Sequence, residues 1–325
     1  MTDDRMRRGG DSEDDPTFVS LVGIPRSGTT WMQQLLNWHP QVGTGQESFL
    51  FARFIVPQLR EFRWGLAQSG RGGLGLAAYM SEETFLSELR RHVAALRQQM
   101  VEVCYSEKKT ASLFLDKSPP NALVMEEIHE ISPEVRFVVM IRNAYDIVAS
   151  WRRSSRTWAP WLVPDRVGEM ANIVCAYVHA IERALAVLEP REVLIVRYEE
   201  LWERPVTTLL AVCRFIGIEW DEAGVRAALD ALEPDVARAL EHMHIPLWGA
   251  ARTKYGSAAL NPPGFVGPAT PGAGWRTLCL RDRRTIRAVL ASHGLTAELV
   301  PLDRVGGWSR YDLDRLIRAP SGSVC

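Results

Sequence analysis

The sequence predicts an α/β fold: a single three-layer α/β/α domain on a parallel central sheet, with helical insertions. Three observations carry that expectation. Four short apolar runs are continuous rather than alternating, as strands covered on both faces must be. Each is followed by a stretch whose apolar residues recur at helical spacing, the βαβα rhythm of a parallel sheet. The first run also leads straight into a glycine-bearing turn and a helix start.

The elements follow in chain order. Residues 1–16, MTDDRMRRGGDSEDDP, mix both charges with no apolar core, so they read as a disordered leader rather than a signal peptide. The domain then occupies 17–325. Its first strand is Phe18–Val22, and Trp31, Met32, Leu35, Leu36 and Trp38 mark the helix after it. GLAQSGRGGLG, 65–75, is a flexible loop without strand–helix context. A long helix from Ser81 to about Val103 buries Phe85, Leu89, Val93, Leu96 and Met100. Loop and helix make up an insertion, about 65–110, that roofs part of the site. The second strand is Leu113–Leu115, followed by Leu123, Val124, Ile128 and Ile131 at helical spacing. The third is Val135–Ile141, continuing into the helix of AYDIVASW. Met170, Ile173, Val174, Tyr177, Ile181 and Leu188 trace another helical face, before the fourth strand Val193–Val196. Leu209, Val212, Phe215 and Ile216 mark the next helix. A C-terminal helical part, about 221–325, is interrupted by the extended loop NPPGFVGPATPGAGW.

Composition narrows the function. With 46% apolar residues, 24% charged and a net charge of -1, the chain gives no reason to expect nucleic acid or an anionic membrane as partner. Any anion site is therefore built locally. No uninterrupted apolar run approaches the ~20 residues needed to span a bilayer. The five cysteines lie far apart without a CxxC pair, which suits reduced thiols in a cytoplasmic enzyme and speaks against a zinc site or disulfide framework.

The turn after the first strand, GIPRSGTTW, is nearly a phosphate-binding P-loop, G-x-x-x-x-G-K-[ST]. Gly23, Gly28 and Thr30 fall at the required positions, but Thr29 stands where the lysine belongs and Arg26 lies inside the loop. Strand, turn and helix start still gather backbone N–H groups around one anion, with Ser27, Thr29 and Thr30 adding hydroxyls. Without the lysine the loop lacks its grip on a triphosphate. The third strand, VRFVVMIRN, ends on Arg142 rather than on an acid that would hold Mg²⁺, with Ser150 about two turns further on. A guanidinium and a hydroxyl at a strand's carboxyl end suit a second phosphate, although pairing of Arg142 with Asp146 is the competing reading.

PRSGTTW resembles the 5′-phosphosulfate loop of the sulfotransferases that use 3′-phosphoadenosine 5′-phosphosulfate (PAPS), and VVMIRNAYDIVASW resembles their 3′-phosphate motif. IVRYEELWERP and GAGWRTL are similar to two later segments, so the resemblance runs in order from about Phe18 to Leu280. It implies a P-loop-NTPase-like fold and PAPS as co-substrate, without a metal, in a branch related to the tyrosylprotein sulfotransferases. By that resemblance Arg26, Ser27, Gly28, Thr29, Thr30 and Trp31 hold the 5′ end and Arg142 and Ser150 the 3′-phosphate. Tyr198 is a further contact or a core tyrosine, and Arg276 a weaker candidate. Thr270–Trp275 lacks the Arg-Lys-Gly of the hepatic-type enzymes, so the closing loop must bind differently or less tightly.

Two residues compete for the base that strips the acceptor's proton. His39 ends the first helix, where capping or packing is its ordinary role. Glu47, 21 positions beyond Arg26, matches the catalytic glutamate of the tyrosylprotein branch and is favoured. Lys117, one of four lysines, stands past the second strand where the family has a lysine that neutralises the bridging oxygen. Asp116 beside it either orients Lys117 or a backbone group, or is the metal acid of a small kinase. The expected reaction is a direct in-line transfer to a hydroxylated small molecule, with Glu47 as base and Lys117 and Arg26 stabilising charge. The tryptophans of SWRRSSRTWAPWLVP either line the acceptor pocket or pack in the core. A Mg-ATP-dependent kinase and a non-catalytic nucleotide-binding scaffold are the rivals. The sequence leaves oligomeric state open, and a homodimer is compatible with it.

Overall fold

Five parallel strands, β1 (Thr17–Gly23), β2 (Val42–Thr44), β3 (Leu113–Lys117), β4 (Arg136–Ile141) and β5 (Val193–Arg197), lie in the order β2-β3-β1-β4-β5. The computed structural model describes residues 17–68, 73–105, 108–157, 166–231, 244–246, 257–259 and 270–297. The expected leader 1–16, the glycines of 69–72, Trp158 and Trp161 and most of the chain beyond 231 lie outside the described residues. Four of the strands are the predicted apolar runs, three of them extended by one or two residues and the third shortened to begin at Arg136. The fifth, β2, is only three residues long and includes a glycine, too short for a periodicity to register.

The helices are α1 (Thr29–Asn37), α2 (Val56–Ala67), α3 (Glu82–Tyr105), α4 (Met125–Ile131), α5 (Ala144–Thr157), α6 (Val167–Val187), α7 (Tyr198–Glu203), α8 (Pro205–Ile216), α9 (Glu222–Ala231), α10 (Ala273–Thr277) and α11 (Leu280–Ser292). Two short strands, His244–Pro246 and Ser257–Ala259, pair antiparallel. Strand alternation sorts the sheet's side chains into two cores. Val19, Leu21, Leu113, Leu115, Val138 and Met140 meet α1 and α8 on one face. Val22, Phe137, Val139, Ile141 and Ile195 meet α2 to α6 and α11 on the other. Phe137, Val138, Val139 and Met140 are all fully buried, and each such side chain contributes roughly 1.5–3 kcal/mol.

The chain's course explains where a site forms. The connection through α1 runs from β1 out to β2, β3 returns beside β1, and β4 then continues on β1's other side. The carboxyl edge of the sheet next to such a reversal is where open α/β sheets bind ligands. Among the described residues, α6 is the helix long and apolar enough to cross a membrane. Ten of its residues are buried, against α4, α5 and α11, which is how a central core helix satisfies the same criterion.

Candidate active site

Each principal candidate follows a strand end. Arg26 lies three residues past β1, Glu47 three past β2, Lys117 ends β3, and Arg142 and Tyr198 directly follow β4 and β5. The first turn is tightly determined. Gly23 has φ +146°, and a Cβ there would lie 2.2 Å from the Met140 carbonyl oxygen. Gly28, at φ +99°, faces the Tyr198 ring. Arg26 holds φ +77° without being glycine, strain of the kind that collects at ligand sites. The Ser27 N–H donates to Ile24 O at 3.0 Å, while α1's ladder begins with Met32 N–H to Gly28 O at 3.1 Å. The amides at the head of α1 thus have no intrahelical acceptor. Ser27 Oγ is fully buried with no hydrogen-bond partner, and Thr29 is buried beside it. This is a cradle suited to an anion.

Cations gather against that cradle. Arg26 Nε donates to Ser150 Oγ at 3.0 Å, and Arg153 Nη2 reaches the same oxygen at 3.3 Å. Burial, then Arg153 and Arg142, pull the Arg26 pKa down to about 9, while Glu47 raises it again. Burial and Arg142 lower that of Arg153 as well. Arg26 stays charged at neutral pH, so crowding three guanidiniums creates an affinity for an anion among them. Arg142 is 8% exposed and stacks over the Tyr198 ring at 4.0 Å. It also lies 3.6 Å from Asp146, the pairing weighed from sequence. The Asp146 oxygens are nearer to the Gly272 and Gly274 N–H groups, each at 2.8 Å. Asp146 therefore docks the GAGW segment, and Trp275 packs edge-on to Tyr145 at 4.5 Å. The sequence reading missed Arg153, whose signal is its i+3 spacing from Ser150.

The second cluster is Lys117 Nζ donating to Glu47 Oε1 at 2.5 Å, with the lysine side chain 6% exposed and the glutamate 33%. Lys117 shares the face of Leu113 and Leu115 and so points to the side where α1 packs. Gln33, buried on α1, donates to Thr44 Oγ1 and to Gly45 O, both at 2.8 Å, fixing the start of the loop that bears Glu47. Asp116 points to the opposite face. It makes no bond to Lys117, contrary to one sequence expectation, but accepts from Ser48, Ser118 and Asn121.

The other candidates separate. His39 lies at the far end of α1, buried, with Nε2 on Glu219 O at 3.0 Å and its ring edge-on to Trp220. Burial lowers its pKa. Its role is packing, away from the Glu47–Lys117 pair. Tyr198 is 3% exposed, pushed up to about 12 by burial, and is the floor on which Gly28 and Arg142 rest. Trp31 and Thr30 are half-buried at the loop, Trp31 lying 5.8 Å from Tyr198 and 6.1 Å from Trp202. Arg276 is exposed on α10 and shares no described bond with the arginine group. Trp151 is buried in the core. Cys104, Cys175, Cys213 and Cys279 are free thiols, and among the described residues no three His, Cys, Asp or Glu are grouped to hold a metal.

Comparison with known proteins follows the same outline. A profile described as "Sulfotransferase family" matches residues 16–222. The nodulation protein NoeE of Sinorhizobium fredii is 28% identical over 65% of this chain and 52% of its own length. Protein-tyrosine sulfotransferase 1 of Danio rerio is 25% identical over 64% of this chain and 55% of its own. The chain thus matches about half the length of these relatives. Mouse sulfotransferase SULT7A1, solved complexed with PAP, superposes with a TM-score of 0.52 at 12% identity, over 87% of this chain and 86% of that one. That likeness shows the fold.

Proposed function

The chain belongs to the sulfotransferase family, and from that premise we propose that it moves the sulfuryl group of PAPS to a hydroxyl of a small-molecule acceptor. The convergence of Arg26, Arg142, Arg153 and Ser150 on one place, beside an anion cradle with a buried, unpartnered Ser27 hydroxyl, supports this most directly. PAPS carries phosphate at two ribose positions and supplies an activated sulfuryl group, leaving as 3′-phosphoadenosine 5′-phosphate (PAP). Residues 26–30 and Trp31 hold the 5′ end; Arg142, Ser150 and Arg153 take the 3′-phosphate. Tyr198 supports both from below, and Arg276 contributes less.

Glu47, a third exposed, offers its free oxygen to the acceptor hydroxyl and takes its proton. Lys117, already desolvated, neutralises charge developing on the leaving side, and Arg26 and the loop amides do the same for the sulfuryl oxygens. The protein needs no reorganisation of charge at the moment of transfer. The domain limits 17–325, a cytoplasmic location and a reaction independent of metal belong to the same proposal. A kinase would want an acid beside the loop; Asp116 lies across the sheet from α1 with both oxygens engaged, which weighs against it.

Calorimetric titration of PAP and of ATP, with Mg²⁺ and with EDTA, tests the reading on wild type and on Arg142→Ala. PAP should bind regardless of the metal and better than ATP, and the variant should lose about 30-fold or more, the scale for truncating one partner of a buried charge pair. Magnesium-dependent preference for ATP would refute it. Labelled PAPS with a panel of phenols, sugars and tyrosine peptides then identifies the acceptor class.

A further inference from the structure

Asp116 has no part in that chemistry, yet it is half-buried and densely bonded. Its Oδ1 accepts from Ser48 Oγ at 2.9 Å and Ser118 Oγ at 3.0 Å, and its Oδ2 from Asn121 Nδ2 at 3.2 Å. Each of these three side chains also receives a backbone N–H of the turn beyond Glu47. Ser118 Oγ accepts from Phe49 N–H at 3.2 Å, Ser48 Oγ from Leu50 N–H at 3.1 Å and Asn121 Oδ1 from Ala52 N–H at 3.1 Å. The turn needs such anchoring. Phe49 sits at φ +50°, and Leu50–Ile55 is a π-helical turn, a wide and rarely adopted coil.

We infer that Asp116 is the positioning residue of the reacting pair: through Ser48, Ser118 and Asn121 it clamps residues 48–52 to the end of β3 and thereby sets Glu47 against Lys117. The pair is flanked by the clamp on both sides, since Ser48 follows Glu47 and Asp116 and Ser118 bracket Lys117. Gln33 holds Gly45 O on the other side of Glu47, leaving the glutamate on a short span between two fixed points. A full carboxylate is required because all three groups donate to it, and an amide would bring a donor against one of them. Arg97 of α3, buried over the Phe18 and Phe51 rings, supplies positive charge on the same side, so the inserted helix contributes to the clamp.

The inference rests on Glu47 and Lys117 being the reacting pair, and the experiment separates the two ideas. Amide hydrogen exchange in nucleotide-free wild type, Asp116→Asn and the milder Ser118→Ala should show Phe49, Leu50 and Ala52 losing protection, by about tenfold or more in the first variant. Ser118→Ala carries the test if Asp116→Asn does not fold. PAP affinity, measured by calorimetry, should stay within about threefold, because the anion cradle hangs on other elements. Transfer from PAPS to 4-nitrophenol or a tyrosine peptide should fall roughly 10- to 100-fold at unchanged KM for PAPS, the scale of a displacement of about 1 Å. In a Glu47→Gln background Asp116→Asn should cost nothing more. Unchanged exchange, or a loss of turnover that multiplies with Glu47→Gln, overturns the clamp. Wild type without PAPS turnover would instead end the proposed function, and the exchange arm would still decide the clamp.

Discussion

Gly28→Ala probes the phosphate loop where its geometry is most constrained. The added Cβ would lie 2.5 Å from Tyr198 Cδ2 and 3.0 Å from Cε2, at a backbone φ of +99°. Two costs follow. A side chain at such a positive φ costs about 1–2 kcal/mol, and forcing a methyl onto a buried ring about 1–3 kcal/mol. Their sum, about 2–5 kcal/mol, lowers the melting temperature by about 4–20 °C at about 2–4 °C per kcal/mol. The loop is also re-aimed, so PAP affinity should fall about tenfold or more, the weight of roughly 1.4 kcal/mol. A double-mutant cycle with Tyr198→Leu apportions the loss. The coupling should return about 1–3 kcal/mol, the steric part, and leave the backbone part in place. Thermal unfolding and calorimetry on the four proteins read both quantities. A Gly28→Ala protein that melts with wild type and binds PAP equally well would refute the loop conformation on which the anion site rests.

Three further outcomes follow from the same geometry. Glu47→Gln should reduce transfer by about 100- to 10,000-fold, the range for a positioned base, with PAP affinity retained, as read by single-turnover assay and calorimetry. Asp146→Ala should leave the Gly272 and Gly274 amides without their acceptor, at about 1–3 kcal/mol each where buried, and limited proteolysis should then cut within 270–278. PAP at about 100 times its Kd should stabilise the protein by about 2.7 kcal/mol, a melting rise of about 5–10 °C that EDTA does not change; collapse of that rise in EDTA would point to a metal.

Residues legible in the sequence share one property: each adjoins an apolar run. Arg26, Lys117, Arg142 and Tyr198 all stand at or just past a strand that announces itself by continuous hydrophobicity, so locating the strands located the residues. Glu47 was reachable only through resemblance, because its strand β2 is three residues long and carries no pattern. Arg153 was hidden for a different reason. Its neighbour Arg152 turns away to Asp282, and choosing between adjacent arginines requires knowing the rotation of α5. The π-helical turn and the positive φ of Phe49 leave no local mark either, since a phenylalanine has no preference for that conformation.

The two acids beside the site show what separates catalytic placement from support. From sequence, pairing with Arg142 is the competing reading for Asp146, and orienting Lys117 is one of the alternatives for Asp116. In the folded chain both spend their oxygens chiefly elsewhere, Asp146 on amides 126 and 128 residues away and Asp116 on a ring of neutral donors. That choice keeps Asp146 at 3.6 Å from Arg142 rather than in a short ion pair, and it leaves Lys117 bonded to the more exposed Glu47 instead. Had either aspartate closed fully on its cation, the buried pair would have been neutral and the edge of the sheet would have little to offer a bisphosphate. The positive field here therefore depends as much on where the nearby carboxylates are tethered as on the arginines themselves.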